Sequence, residues 1–530
     1  MSRLCKAAIV TVLSMPICFS GARAEDSCPA AIGVINEYFE LVARGSYDIA
    51  GDMWTPEALE RSGRFSIRFN SVPLKVDCNS PIMRNVDQFS GKVIAPIRAC
   101  QQVDSTDWYR LEYADIYGSS LLRHDYFLQK RGDWFWIGYP QDHYAATWSV
   151  TESRYFRIRT HPDAEKYLNP AAIAEADRFV EQTCSLLGIA DSTLRRIAAP
   201  KIEYYFCPTD SVVKQITGFL VVGTLDLASN DIITADFPHF HELTHLLINI
   251  RLREVPLYTL PIMREGLATY LAGRWGKHPA PLMDLAIFLY NEDLVTFDSI
   301  FTMAGFDTDS GADIVYPVAG LFCGYLIEKL GMYGCLDLYV SLSGRFPEVN
   351  GLTPADVQSR ICAAVDQPHW AGLKTDFEAY LARYQAERVV ALPGEGARGE
   401  AIMNGDRIAV YDAGDWIGFE FVAAPDDTLC QGNLVFAPAD GLQGQRSQLF
   451  ESQYSEKQAF EGYRFGVRYD RNEAGLYDYA TNQLLAKFIM GITPSDDYFD
   501  AERKIIKVRF RKSLLNGQLP ASGQYRLLPL

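Results

Sequence analysis

Two kinds of hydrophobic spacing divide the first 150 residues of the chain. Apolar residues at helical intervals between positions 28 and 60 predict an amphipathic helix, followed by a short second helix that begins near Pro56. From Phe65 to Trp148, aromatic residues instead alternate with polar ones, and a Gly132-Asp133 turn separates two such runs. The pattern predicts helices followed by a curved antiparallel sheet.

The middle of the chain mixes both spacings. Strands are predicted at 154–160, 201–206 and 221–235. Helices are predicted from Pro170 to Leu187, within 281–346 and from Leu373 to Gln385. The strand at 221–235 should border a cleft. The uncharged stretch from Ile314 to Ile327 is too short to span a bilayer and predicts a buried helix.

A Gly- and Pro-rich break at 393–399 marks a boundary before the C-terminal part. Beyond it, short apolar runs lie between Gly, Asp and Asn clusters, which predicts a small β-sandwich or β-barrel. The predicted fold class is therefore α+β and multidomain. The predicted divisions are a signal peptide at 1–24, an α+β domain at 25–150, a central domain at 151–390 and a β-rich domain at 400–530.

The N-terminus has the features of a secretory signal peptide. Arg3 and Lys6 precede an apolar stretch, and Ala22-Arg23-Ala24 forms an A-x-A cleavage site, so the mature chain is expected to begin at Glu25. We therefore expect an exported bacterial protein, periplasmic or secreted, with no membrane span after cleavage.

The composition is that of an acidic globular protein. Hydrophobic residues make up 48% and charged residues 22% of the chain, which is an ordinary composition for folded domains. Removing the three basic residues of the signal leaves 47 Lys and Arg (50 − 3) against 66 Asp and Glu, so the formal charge changes from −16 to −19. Such a surface argues against nucleic acid or anionic lipid as a partner.

Nine cysteines follow the signal peptide, an odd number that leaves at least one thiol unpaired within the chain. In an oxidising compartment, Cys78 with Cys100 and Cys184 with Cys207 are plausible local disulfides, although spacing alone leaves the connectivity open. No C-x-x-C pair is present, so we expect neither a cysteine metal site nor a dithiol redox site.

The stretch PHFHELTHLL at 238–247 contains three of the eight histidines. His241 and His245 lie four residues apart around Glu242, the H-E-x-x-H pattern that places two imidazoles on one face of a helix. A catalytic zinc site needs a third protein ligand, and Glu265 begins a second helical pattern twenty residues after His245. We predict a Zn²⁺ site formed by His241, His245 and Glu265, with Glu242 as general base. The alternative is a solvated surface helix that binds no metal.

HELTH followed by REGLATY resembles the gluzincin branch of zinc metallopeptidases, the peptidase MA-like group, and is similar to the aminopeptidase N family. The resemblance covers about 151–388. It implies a metallopeptidase domain with a mixed sheet and a helical subdomain, in which a zinc-activated water hydrolyses peptide bonds of a peptide or protein substrate. It also implies a tyrosine that supports the oxyanion, for which Tyr316 is the candidate and Tyr325 and Tyr333 are alternatives. The G-x-M-E-N segment of aminopeptidase N is missing before His241, so exopeptidase activity is not implied.

The order of helices and sheet in residues 25–150 resembles the NTF2-like α+β fold. The resemblance implies a pocket for a ligand or partner. The alternative is a domain that only packs against or positions its neighbour, because no catalytic constellation appears in it.

Two further residues near the motif have open roles. Thr269 is either a residue that orients a metal ligand by a hydrogen bond or a helix-packing residue. His239 lies two residues before His241 and is therefore expected to have a structural or cleft-rim role rather than a metal-binding one. At the level of function, the alternatives to a peptidase are a non-catalytic binding or scaffolding protein that retains the fold, and a metal-dependent hydrolase of another bond.

Overall fold

The structure, a computed structural model, describes residues 28–89, 97–117, 120–301, 312–345, 348–349, 351–386, 397–403, 406–423, 432–444, 460–469, 473–489, 499–500, 505–516 and 525–528. Over these residues the chain is mixed α+β, with α-helices and six small sheets. The α+β class predicted from the sequence is confirmed. The predicted signal peptide at 1–24 lies outside the described residues.

The N-terminal part combines short helices with a four-stranded antiparallel sheet. The helices are α1 (Cys28–Ala43), α2 (Tyr47–Gly51), α3 (Pro56–Gly63), α4 (Pro81–Arg84), α5 (Val86–Phe89) and α6 (Pro140–Tyr144). A two-residue strand, β1 (Arg68–Phe69), precedes the sheet strands β2 (Ala99–Gln102), β3 (Trp108–Tyr117), β4 (Ser120–Arg131) and β5 (Trp134–Gly138). As predicted, α1 buries its apolar face and Gly132, with φ 64°, lies in the turn between β4 and β5. The NTF2-like resemblance stays a prediction.

The strand prediction for residues 65–89 is wrong. Only β1 is extended there, and the chain forms 3-10 turns at Arg64–Ser66 and Lys75–Asp77 before α4 and α5. Ser80 caps α4 by accepting a hydrogen bond from the Met83 amide at 3.1 Å, and Pro81 occupies the first turn. This Ser-Pro start signal favours a helix over the strand that the apolar residues suggested.

The central part begins with a five-stranded mixed sheet in the order β6-β7-β8-β10-β9. The strands are β6 (Ser149–Glu152), β7 (Phe156–Thr160), β8 (Ile202–Phe206), β9 (Gly223–Asp226) and β10 (Asp231–Thr234). β7, β8 and β10 are parallel, whereas β6 and β9 are antiparallel edges. The predicted strand at 221–235 is thus a hairpin of β9 and β10.

Nine helices of the central part fall within the described residues. They are α7 (Pro170–Leu186), α8 (Asp191–Ala198), α9 (Asp210–Thr217), α10 (Phe240–Leu252), α11 (Pro261–Ala272), α12 (Pro279–Asn291), α13 (Ala312–Ser341), α14 (Pro354–Ala364) and α15 (Trp370–Ala386). Two pairs of two-residue strands lie between these helices. β11 (Glu254–Val255) pairs with β1, and β12 (Tyr258–Thr259) pairs with β13 (Ser343–Gly344). The predicted buried helix is confirmed as the first half of α13, which bends at Gly331. None of the described helices is long and apolar enough to cross a bilayer.

The C-terminal part is a β-sandwich, as one of the two predicted alternatives states. Its strands are β14 (Ala397–Met403), β15 (Asp406–Ala413), β16 (Trp416–Val422), β17 (Gly432–Gly444), β18 (Phe460–Tyr469), β19 (Glu473–Asp478), β20 (Gln483–Ile489), β21 (Phe499–Asp500), β22 (Ile505–Arg511) and β23 (Tyr525–Leu528). They form two sheets, in the orders β14-β15-β16-β22-β21 and β20-β19-β18-β17-β23. Apolar residues from both sheets, such as Phe419 and Phe465, share one buried core.

The N-terminal and central parts share a continuous hydrophobic core that extends from α1 to α15. A buried ionic cluster also joins them, because Arg61 and Arg64 of the α3 region both pair with Asp231 of β10. Asp231 is fully buried. The N-terminal and central parts therefore have separate sheets but share one core across residue 150.

The predicted disulfides are wrong. Cys100 bonds to Cys28, 72 residues away, and Cys78, Cys184 and Cys207 are buried free thiols. The reason is tertiary: β2 packs beside α1, so the bridge joins the start of the first helix to the sheet. Cys430 lies outside the described residues.

Candidate metal centre

Two helices carry the H-E-x-x-H pattern and its predicted third ligand. His239 caps the N-terminus of α10, its Nδ1 accepting a long, 3.4 Å hydrogen bond from the amide of Glu242. This bears out the structural role predicted for His239. α11 begins at Pro261, so Glu265 lies in its second turn. The two helices pack against each other, which brings their polar residues to one place.

The three predicted ligands converge. One donor atom from each of His241, His245 and Glu265 lies within 4.8 Å of the other two. Glu265 Oε2 is 3.1 Å from Nε2 of His241 and 3.5 Å from Nε2 of His245. Two imidazole nitrogens and a carboxylate oxygen match the donor set of a catalytic zinc site that keeps a fourth position open. The residues therefore fit a Zn²⁺ ion.

A backbone carbonyl fixes the orientation of His241. Its Nδ1 donates to the carbonyl of Gly273 at 2.8 Å, which leaves the lone pair of Nε2 directed at Glu265. Gly273 has φ 76°, and a Cβ there would lie 1.8 Å from the Lys277 carbonyl oxygen. Burial lowers the pKa of His241 to about 4, and the neighbouring Glu265 offsets this lowering only in part. The imidazole is thus neutral, as a metal ligand must be.

Glu242 is held on the cavity side of the same helix. Its Oε2 accepts a 2.8 Å hydrogen bond from the amide of Leu225 in β9. Burial raises the pKa of Glu242, but the neighbouring histidines, with His245 first, outweigh it, and the net pKa is lowered. β9 therefore borders the cleft as predicted, and it also orients the predicted base.

Two arginines flank Glu265, and the sequence prediction included neither of them. Arg264 donates from Nε to Oε1 at 2.8 Å, and Arg274 donates from Nη1 to Oε2 at 3.0 Å. Burial raises the pKa of Glu265, yet Arg264, His245 and His241 together lower it well below its usual value. Arg264 is the sequence neighbour of the ligand, which is a usable signal. Arg274 reaches the site through the turn after α11, which no spacing rule identifies.

Tyr316 lies at the same cavity as the ligands. It is 9% exposed, in the first turns of α13, and the guanidinium of Arg274 stacks 3.7 Å from the centre of its ring. Burial, followed by the charge of Glu265, raises the pKa of Tyr316 to about 12. The phenol therefore keeps its proton and can donate a hydrogen bond. The alternatives do not share this position: Tyr325 is fully buried and Tyr333 is exposed outside this cavity.

Thr269 does not orient a metal ligand. Its hydroxyl is buried and has no hydrogen-bond partner among the described residues. A Cβ placed on Gly320 of α13 would come within 3.0 Å of the Thr269 methyl group. This close approach supports the helix-packing interpretation.

One cavity of about 1090 Å³ joins the candidate metal centre to the N-terminal part. The wall that the central part forms includes Glu242, His245 and Glu265. The wall that the N-terminal part forms includes residues of α4, β3 and β4, such as Arg84 and Asp125. The N-terminal part thus forms one side of the cleft, a feature that the sequence left open.

No protein-family model matches the chain, and a search of curated proteins finds no significant match.

Proposed function

We propose that this protein is an exported zinc-dependent metallopeptidase of the gluzincin type. The observation that supports the proposal most is the convergence of His241, His245 and Glu265, together with the cavity that Glu242, His245 and Glu265 line. The H-E-x-x-H and REGLATY segments agree with it independently, because they were identified from sequence alone.

Each residue has a distinct chemical task in the proposed reaction. A bound Zn²⁺ supplies Lewis acidity and lowers the pKa of a coordinated water to about 7. Glu242, ionised and held by the Leu225 amide, accepts the proton of the attacking water and later returns it to the leaving amine. The Tyr316 phenol donates a hydrogen bond to the carbonyl oxygen as its negative charge develops, an effect worth about 3–4 kcal/mol for a well-placed donor.

The size of the cavity suits a peptide segment. At about 1090 Å³ it lies just above the usual range for small-molecule sites, about 300–1,000 Å³. Its extension along β3 and β4 offers a surface for residues on one side of the scissile bond. With the N-terminal signal segment, the proposal implies activity in the periplasm or outside the cell.

The second candidate is a non-catalytic binding protein that retains this fold. One contact favours it: Nη1 of Arg274 lies 3.0 Å from both Nε2 of His241 and Oε2 of Glu265. The guanidinium thereby satisfies two of the three donor groups without a metal.

A single substitution separates the two candidates. Glu242→Gln keeps an acceptor for the Leu225 amide but removes the base, so we expect unchanged zinc content and a fall in peptide hydrolysis of about 10³-fold or more. Zinc is measured by elemental analysis of dialysed protein, and hydrolysis with a mixed peptide library, with and without a chelator. Glu254→Gln, at an exposed carboxylate of β11, is the matched control. Turnover retained by Glu242→Gln would refute the role of Glu242, and a wild-type protein without zinc or turnover would favour the binding protein.

A further inference from the structure

At the candidate metal centre, two carboxylates are balanced by two arginines. Four charged side chains lie at it, Glu242 and Glu265 on one side and Arg264 and Arg274 on the other, and their formal sum is zero. A divalent ion raises that sum to +2. A site with two carboxylates and no arginine would instead be neutral when loaded. The loaded site therefore favours a substrate that brings negative charge.

The two arginines contact different oxygens of Glu265. Arg264 bonds Oε1, the oxygen that lies away from the histidines, so its pairing is compatible with a bound metal. Arg274 bonds Oε2, the oxygen that both histidines approach, and it also contacts Nε2 of His241. A metal ion needs the lone pairs of those same two atoms. The Nε2 atom of a neutral imidazole has one lone pair, so a bound metal displaces Arg274 from His241, whereas Oε2 has a second lone pair that can still accept from Arg274.

Arg274 is held at the cavity by other contacts that a metal does not remove. Its backbone pairs with Lys277, its guanidinium lies on the Tyr316 ring, and it lines the same cavity as Glu242. Its Nε is buried and has no hydrogen-bond partner among the described residues. Once its contact with His241 is lost, the guanidinium is a partly buried cation with unused N–H donors, Nε among them, beside the reaction site.

We propose that Arg274 binds a carboxylate of the substrate close to the scissile bond. This inference rests on the proposed zinc-dependent function. The planar guanidinium presents paired N–H donors that match a carboxylate in two-point fashion. The carboxylate belongs either to an acidic side chain or to the C-terminus of the substrate, since both offer the same two oxygens. Arg274 is thus a specificity-determining residue, and it occupies the metal ligands until zinc is bound.

The first experiment measures zinc affinity without any substrate. Arg274→Met removes the competing cation, so we expect zinc to bind at least about tenfold more tightly in competition with a chromophoric chelator. Arg274→Lys keeps a charge and should lie between the two. Arg123→Met is the matched control, because Arg123 faces the same cavity from β4 but does not contact the ligands. Equal zinc affinity in wild type and Arg274→Met would overturn the proposed competition.

The second experiment measures peptide binding to zinc-loaded Glu242→Gln by fluorescence anisotropy. Three peptides of one length are compared: one with an internal Asp and an amidated C-terminus, one with Asn and a free C-terminus, and one with Asn and an amidated C-terminus. We expect one of the first two to bind at least about tenfold more tightly than the third. Which one binds identifies the source of the carboxylate. The double variant Glu242→Gln/Arg274→Met should lose this preference. Glu242→Gln/Arg195→Met, which changes an exposed arginine of α8 that does not line the cavity, should keep it.

The outcomes separate this inference from the proposed function. A preference that survives Arg274→Met, or three peptides that bind equally, overturns the role of Arg274 even if wild-type protein hydrolyses peptides. A carboxylate preference that depends on Arg274 supports the role even if wild-type protein hydrolyses none, in which case only the proposed peptidase activity fails.

Discussion

Asp231 and Glu265 are both buried carboxylates bracketed by two arginines, yet their surroundings differ. Asp231 is fully buried, pairs with Arg61 and Arg64, and accepts a further hydrogen bond from Gln141 at 2.9 Å. Glu265 also pairs with two arginines, but two imidazoles and a cavity face one of its oxygens. Asp231 is surrounded by protein groups, whereas Glu265 faces the cavity on the side of the two histidines.

The difference shows how the same ion-pair pattern serves two purposes. At Asp231 both carboxylate oxygens accept hydrogen bonds from side chains of the N-terminal part, so the cluster fixes how that part packs on the central sheet. At Glu265 one oxygen is shared by the histidines and Arg274, and this shared oxygen is what a metal requires. Buried arginine pairs therefore do not by themselves identify a functional site, whereas the two imidazoles beside Glu265 make it part of a candidate metal site.

Asp77 extends the comparison, because it is a buried carboxylate that contacts no arginine among the described residues. It accepts hydrogen bonds from the hydroxyl groups of Tyr38, Ser80 and Tyr126 at 2.7, 2.9 and 3.1 Å. Burial, only partly offset by these bonds, raises its pKa to about 7. Without a cation nearby, the carboxyl group titrates near neutral pH.

The largest expected effect on stability is at Asp231. Asp231→Ala leaves Arg61 and Arg64 buried without their shared acceptor, and breaking a buried pair in this way costs about 3–5 kcal/mol. Urea denaturation followed by tryptophan fluorescence measures the loss of unfolding free energy. Asp142→Ala, at the more exposed partner of Arg61, should cost less. A loss under about 1 kcal/mol at Asp231 would show that this ionic cluster does not hold the N-terminal and central parts together.

The same truncation at Glu265 should affect zinc rather than folding. Glu265→Ala removes one of the three proposed ligands, so we expect zinc affinity to fall at least about 100-fold, or about 2.7 kcal/mol. The metal-free variant should lose less stability than Asp231→Ala, because Arg264 and Arg274 lie at a cavity and remain hydrated. Elemental analysis after dialysis and denaturation in the presence of chelator measure the two quantities. Unchanged zinc content would exclude Glu265 as a ligand.

The smallest effect is a pH dependence at Asp77. Its folded pKa of about 7 exceeds the ordinary value of 3.8, so the folded state binds the proton more tightly. Stability from this group is therefore present at low pH and is lost as pH rises from about 4 to 7. Asp77→Asn removes the titration. We expect the apparent melting temperature to fall more between pH 5 and 7.5 in wild type than in Asp77→Asn, and parallel profiles would contradict this assignment.

The candidate site was largely predictable from sequence, because i and i+4 spacing on one helix brings His241 and His245 to one face wherever that helix lies. The structural role of His239 followed from the same geometry. The predicted disulfide pairing is wrong, because Cys28 and Cys100 come together only when β2 packs beside α1. The strand prediction for residues 75–89 is wrong because apolar spacing does not reveal the helix start at Ser80-Pro81.

The sequence by itself determined the α+β class, the order of most elements and the four residues of the H-E-x-x-H and REGLATY segments, since these depend on short-range periodicity and spacing. Only the tertiary structure decided what surrounds them. Arg274 reaches Glu265 through a turn after α11, the Gly273 carbonyl orients His241, and the sheet of the N-terminal part forms a wall of the cavity. These contacts join distant segments through packing and buried charge, and no local pattern in the chain encodes the distance between them.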